Sequence, residues 1–269
     1  KKINFITLDD DPKAPGHKIS DIQIKQMGNN PAGIIKFLSQ KKIKKFNIIS
    51  LISDFGVMHK YLLEKKINRK SNLNFFIYKY DFRKKLRDSN LSNIYFNKLN
   101  AANIKKFDRK YIIKPNFGAA SRDVNIVNNK KEFLHYKNKF QKKDFIIESF
   151  RPGKEFVLDG FVINGKFDFY YLAEKEKTKK SNYLVCHVYK LPKINQKIQY
   201  KIKNIIQNCL KSFSYDNGPF HAEIIFNEKN NEIHPIEIHA RGGGFHIGTK
   251  MIERLCNIYP PQLELDLLL

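Results

Sequence analysis

The sequence predicts an α/β lobe followed by a larger α+β portion, three lobes in all, and three observations carry that prediction. Over the first seventy or so residues, short apolar runs alternate with helix-spaced segments, the order that gives a parallel sheet with right-handed crossovers. From about residue 111 the runs come in pairs separated by turns, the order of antiparallel hairpins. A chain of 269 residues with 42% apolar content can bury a core of that extent.

Taken in order, Asn4 to Leu8 reads as a short strand running into the acidic turn Asp9-Asp10-Asp11-Pro12, and Ile22 to Ile24 as a second extended piece. Residues 31–42 have helical spacing with Pro31 in the first turn, and residues 46–51 read as another strand. Later, residues 111–114 and 124–127 are strands flanking a turn of small residues, 130–142 a helix, and 145–148 a strand. Residues 155–162 and 167–172 flank Asn164-Gly165, the dipeptide favoured in a two-residue hairpin turn. A helix near 196–213 precedes a last hairpin, residues 220–226 and 233–240.

Composition narrows the function classes. A formal net charge of +24 invites a nucleic-acid reading, but the 42 Lys against 8 Arg are spread over helix faces such as KKIKK and KNKFQKK and form no single basic tail. The expectation is therefore no specific nucleic-acid partner, with weak nonspecific binding at low salt. No run approaches the roughly 18 apolar residues of a spanning helix, and the start, KKINFITLDDDPKAPG, has no apolar signal core, so a cytoplasmic protein without a membrane partner is expected. Cys186, Cys209 and Cys256 fall in no disulfide or zinc pattern.

Three segments carry candidate chemistry. In the last hairpin, alternation puts Glu237, His239 and Arg241 on one strand face, and His221 and Glu223 on one face of the partner strand. With the turn centred on Asn230, Glu223 lies directly across from Glu237. Facing carboxylates repel unless a cation sits between them, and two carboxylates completed by phosphate oxygens and water are a usual way to hold Mg²⁺. The second segment is Lys114-Pro115-Asn116-Phe117-Gly118-Ala119-Ala120-Ser121, where an ammonium and the backbone N–H groups of small residues can approach polyphosphate together. The third, Glu148-Ser149-Phe150-Arg151-Pro152-Gly153-Lys154-Glu155, can offer backbone groups to an adenine edge and a carboxylate to ribose hydroxyls. Each has a plainer alternative: a charged solvent face, an ordinary β-turn and an acidic turn.

Read in order, these segments resemble the ATP-grasp superfamily. The resemblance implies a Rossmann-like pre-ATP-grasp lobe over residues 1–74, its first βα unit missing from this sequence, then a two-lobed ATP-grasp domain divided as 75–150 and 151–269. It implies that Lys79, at the start of KYDFRKKL, and Lys114 contact nucleotide phosphates. Gly118, Ala119, Ala120 and Ser121 correspond to a phosphate-covering loop, the connector from Glu148 through Ser149 and Phe150 to the adenine site, and Glu155 to the ribose contact. Glu223, Glu237 and His239 fall at the metal positions, and Arg241, before Gly242-Gly243-Gly244, where an arginine stabilises the transferring phosphoryl group. Two positions depart from the pattern: Asp123 stands where glycine is frequent, and His239 where asparagine often serves as a ligand. His239 is open to three roles: a ligand favouring Mn²⁺, a contact to phosphate or substrate, or a hydrogen-bonded histidine outside the chemistry.

The implied activity is ligation: ATP with Mg²⁺, or Mn²⁺, activates a small-molecule carboxylate as an acyl phosphate, which an amine captures. An ATP-grasp kinase or carboxylase, or a catalytically degenerate nucleotide-binding protein, is the alternative within the same fold.

Overall fold

A computed structural model describes residues 4–26, 28–50, 53–118, 121–177, 186–244 and 246–267. The chain divides into two compact units, Lys1–Ser71 and Asn72–Leu269. No helix among the described residues is long and apolar enough to cross a membrane.

In the first unit, strands β1 (Ile6–Leu8) and β2 (Ile22–Ile24) pair in parallel. Helix α1 (Pro31–Gln40) starts where Pro31 fits and the Asn30 side chain accepts from the Gly33 N–H at 3.1 Å. Helix α2 (Asp54–Lys66) is capped in the same way by Ser53. Ile24, Ile34, Leu38 and Leu63 form the core of this unit. The strand expected at 46–51 is not one over residues 46–50, and Leu51 lies outside the described residues. Phe46 and Ile48 pack on the core while Asn47 and Ile49 are exposed, so the alternation that suggested a strand is kept without a ladder.

The second unit opens with helices α3 (Asn74–Ile77) and α4 (Lys79–Asp88). A four-stranded antiparallel sheet follows, from β3 (Phe96–Lys98), β4 (Tyr111–Pro115), β5 (Asn125–Val127) and β6 (Phe145–Ser149), in the spatial order β3-β6-β4-β5. One face of this sheet, with Tyr111, Ile113 and Ile147, is sealed by Phe133 of α5 (Lys130–Lys139).

A five-stranded antiparallel sheet comes from β7 (Lys154–Ile163), β8 (Lys166–Lys177), β9 (Cys186–Lys190), β10 (Gly218–Asn227) and β11 (Glu232–His239), in the order β11-β10-β7-β8-β9. The β7–β8 turn has Asn164 at φ +48° and Gly165 at φ +74°, two left-handed residues as a two-residue hairpin turn of the favoured type requires. Strand β7 is central, and from Phe156 onward it is apolar on both faces except for Asp159, which is 1% exposed. Helix α6 (Gln196–Ser212) buries Ile198, Ile202 and Ile206 at helical spacing, its N-terminus capped by Asn195 on the Ile198 N–H at 2.9 Å. Helices α7 (Ile252–Cys256) and α8 (Pro260–Asp266) close the unit.

The α6 stripe yields a stability test. Ile202 is fully buried, so Ile202→Ala is expected to cost about 2–4 kcal/mol in urea denaturation. Tyr200, 71% exposed on the same helix, is expected to change stability by less than about 0.5 kcal/mol when replaced by alanine.

Candidate functional site

A cleft of about 880 Å³ lies within the second unit, lined among others by Lys79, Lys114, Glu148, Glu155, Glu223 and Glu237. Period-two alternation explains why these side chains converge. Tyr111 and Ile113 of β4 enter the core, which leaves Ile112 and Lys114 facing the cleft. On β6, Ile147 goes to the core and Glu148, in register with Ile112, goes to the cleft.

At the back of the cleft, Glu148 accepts from Lys114 Nζ at 2.8 Å and from Arg83 Nε and Nη2 at 2.7 and 3.1 Å. Arg83 also donates from Nη1 to the Pro235 carbonyl at 2.6 Å, which ties α4 and β6 to β11. All three side chains are buried. Burial alone would raise the Glu148 pKa, but the fields of Arg83 and Lys114 outweigh it and hold the carboxyl at about 2. Lys114 shares that one carboxylate with Arg83, so burial prevails at the lysine and its pKa is lowered. Glu148 thus orients Lys114, and its own oxygens are occupied by protein cations.

The hairpin register is the expected one: Glu223 lies opposite Glu237 and His221 opposite His239. A β-bulge produces it. From Asn227↔Glu232 up to Ile224↔Pro235 the pairing runs one residue short, and a shift between Glu223 and Ile224 restores it. The repulsion expected between the two carboxylates is relieved by lysines. Lys79 Nζ lies 3.2 Å from Glu237, and Lys175 Nζ of β8 lies 2.9 Å from Glu223 and 2.5 Å from Glu155. Burial would raise both carboxyl pKa values; Lys175 with His221 at Glu223, and Lys79 with His239 at Glu237, reverse that and lower them. The Glu223 and Glu237 side chains are still 19% and 23% exposed, so a ligand in the cleft can reach them.

Glu155 is also paired with Lys177. Lys79 is the first residue of α4 and donates from Nζ to the Gly118 carbonyl at 2.9 Å, which anchors the end of the small-residue turn. Ala119 and Ala120 lie outside the described residues. Ser121, which lines the cleft, and Asp123 have φ of +55° and +57°. Asp123 therefore takes up the left-handed conformation that favours a glycine there and that aspartate also tolerates. Ser149 and Phe150 line the cleft; the register of Ser149 with the core residue Tyr111 turns its side chain to the other sheet face, so backbone is what it presents. His239 and Arg241 are 7% and 9% exposed and do not line the cleft. The His239 ring lies over that of His221, centroids 6.0 Å apart, with Nε2 3.9 Å from Glu237. Arg241 donates to the Gly242 carbonyl at 2.9 Å.

Among the described residues no three His, Cys, Asp or Glu side chains gather as a metal cage. The two carboxylates nonetheless fit a divalent cation, since each already holds an ammonium where a metal charge would sit. Four contributors escaped the sequence reading. Arg83 is one helical turn from Lys79 and so shares its face of α4. Asn116 caps α4 from another loop, its Oδ1 accepting from the Tyr80 N–H at 2.8 Å. Lys175 carried no local signal, whereas Asp159, a lone charge inside the apolar run FVLDGFVI, did.

The family model described as ATP-grasp domain matches residues 107–249, more than half of the chain. The chain belongs to the ATP-grasp family. The D-alanine–D-alanine ligase of Helicobacter pylori is 34% identical over 122 residues, 43% of this chain and 33% of that protein. Among solved structures, L-amino acid ligase from Bacillus licheniformis has a TM-score of 0.74 at 17% identity, over 91% of this chain and 62% of that one. The biotin carboxylase domain of the Hydrogenobacter thermophilus 2-oxoglutarate carboxylase, in complex with MgADP and bicarbonate, has a TM-score of 0.71 at 12% identity, over 98% and 64%. At these identities the structural likenesses establish the ATP-grasp fold alone. The chain spans a third of the length of the curated relative and under two thirds of each solved one.

Replacing Glu148 tests the ion cluster. Glu148→Gln leaves Arg83 and Lys114 buried without a counter-charge, and is expected to cost about 3–5 kcal/mol at neutral pH. Since the folded-state pKa, about 2, lies below the ordinary 4.5, the carboxylate's contribution is full above 4.5 and is lost as pH falls toward 2. The gap between wild type and Glu148→Gln in urea denaturation is therefore expected to narrow over that window.

Proposed function

We propose that this chain binds ATP and Mg²⁺ in the cleft and uses them to join a carboxylate to an amine, releasing ADP and phosphate. The observation that carries the reading is the placement of two lysines and two facing carboxylates on the walls of one cleft: Lys79 and Lys114 with Glu223 and Glu237. Family membership supports it, as does the ligase chemistry named for the Helicobacter pylori and Bacillus licheniformis relatives.

In this reading the ammonium groups of Lys79 and Lys114 hold the polyphosphate and oppose the charge that spreads over the transferring group. A substrate carboxylate oxygen bonds to the γ-phosphorus as the bond to the bridging oxygen breaks and ADP leaves. The amine nitrogen then bonds to the acyl carbon, phosphate leaves, and the amine gives up a proton. Glu223 and Glu237 would hold the metal, which supplies Lewis-acid charge at the phosphates when bound. Backbone at Ser149 and Phe150 meets the adenine, and Glu155, once released by Lys175 and Lys177, the ribose. Arg241 and His239 act from behind the cleft lining. The reading carries a cytoplasmic setting, where ATP is available.

Phosphate release from ATP, screened against pooled carboxylates and amines, tests the reaction. Release that requires both is the expected outcome; release with a carboxylate alone points to a kinase or carboxylase, and none with any pair leaves a nucleotide-binding protein. Lys114→Met is expected to weaken ATP binding roughly tenfold or more in calorimetry, since a charge-assisted contact in a partly dry site is lost. Unchanged affinity in a folded variant would remove Lys114 from the site. Glu237→Gln is expected to abolish turnover while leaving metal-free ATP binding no weaker than in wild type, because the change removes a metal-facing carboxylate and frees its partner Lys79 for phosphate.

A further inference from the structure

Asp159 is a buried carboxylate in the middle of an apolar strand, and the proposed chemistry gives it no task. It is 1% exposed, and the pairing of β7 with β8 shifts register between Asp159 and Gly160, where β8 carries one extra residue, Tyr170. A charge in that setting destabilises the fold unless both oxygens are matched. Both are. Oδ2 lies 2.9 Å from His221 Nδ1, and Oδ1 accepts from the Gly243 N–H at 2.8 Å.

Each of these bonds leads to a residue of the site. With Nδ1 held by Asp159, the ring of His221 turns Nε2 toward Glu223, 3.8 Å from Oε1. Lys175 holds the other oxygen, Oε2, at 2.9 Å, so the carboxylate is gripped from both sides. Gly243 lies two residues beyond Arg241, in the turn that leaves β11. The approach leaves no room there: a Cβ on Gly243 would lie 2.6 Å from Asp159 Oδ1 and 3.0 Å from His221 Nδ1. Gly243 needs no left-handed φ, so close packing on Asp159 is what bars a larger residue.

We propose that Asp159 and His221 are positioning residues, a carboxylate–imidazole pair that aims Glu223 at the cation and fixes, through Gly243, the turn that carries Arg241. The proposal rests on Glu223 being a metal ligand, as in the function proposed above. Partners that orient a ligand from behind typically contribute 10–100-fold to metal affinity, because an unheld carboxylate must be ordered each time the cation binds. The arrangement also explains how the central strand of the larger sheet bears on chemistry at its edge.

The test titrates Mn²⁺ in the presence of ADP, reading free Mn²⁺ by electron paramagnetic resonance, with metal-free ADP affinity measured separately. His221→Gln and Asp159→Ser are each expected to weaken Mn²⁺ binding about tenfold while metal-free ADP affinity stays within twofold. Gly243→Ala, which presses a methyl on Asp159, is expected to do the same, and Asp159→Ser with Gly243→Ala to be no worse than Asp159→Ser alone. Glu223→Gln separates the two ideas. If it weakens Mn²⁺ binding and the folded His221 and Asp159 variants do not, the positioning role is overturned while the metal site stands. Unchanged Mn²⁺ binding in Glu223→Gln overturns both. Equal loss of ADP and Mn²⁺ binding in His221→Gln, whose polar volume keeps the fold when Asp159→Ser does not, reduces the pair to a structural contact and also overturns the proposal.

Discussion

The site depends on one buried carboxylate shared between two cations. Arg83, Glu148 and Lys114 come from a helix and two strands, and the guanidinium reaches on to the backbone of a strand in the other sheet. Desolvating three charges is costly, and an apolar cluster of equal volume would hold these elements together at least as well. What an apolar cluster does not provide is a lysine fixed in direction with a net positive field around it. The cluster carries two cations to one anion, and that excess charge faces the wall where a polyanion is proposed to lie.

The front of the cleft is arranged by the opposite rule, with each carboxylate matched by its own lysine. Lys79 and Lys175 pair with Glu237 and Glu223 as internal cations. In the function proposed above, a metal would take the carboxylates as phosphate takes the lysines. Neither half is favourable alone, because each would strand a charge. The cleft is thus suited to a ligand that brings both signs at once, as a metal–nucleotide complex does.

Sequence reading succeeded where the determinant was local. The last hairpin was legible because alternation has a period of two and a charge on the wrong phase stands out, and the Asn164-Gly165 turn because it needs two left-handed residues in succession. It failed where partners come from far along the chain. Nothing near Glu148 announces Arg83, and nothing near Glu223 announces Lys175. Helix α4 gave no start signal because Tyr78 occupies its N-cap, and the capping amide arrives from Asn116. Residues 46–50 misled because alternation reports exposure, whereas a strand also needs a neighbour to pair with.

The bulge in the last hairpin bears on how such proteins drift in length. Its tip, Glu228 to Asn231, is exposed, and the register beyond it is corrected beside Glu223. Pro235 sits at that correction on an edge strand, where no ladder donor is missed. Gaining or losing a residue at the tip can then be absorbed by removing or enlarging the bulge, while the two glutamates stay face to face. A one-residue change at the hairpin end would then leave its trace at the bulge beside Glu223 and not at the loop.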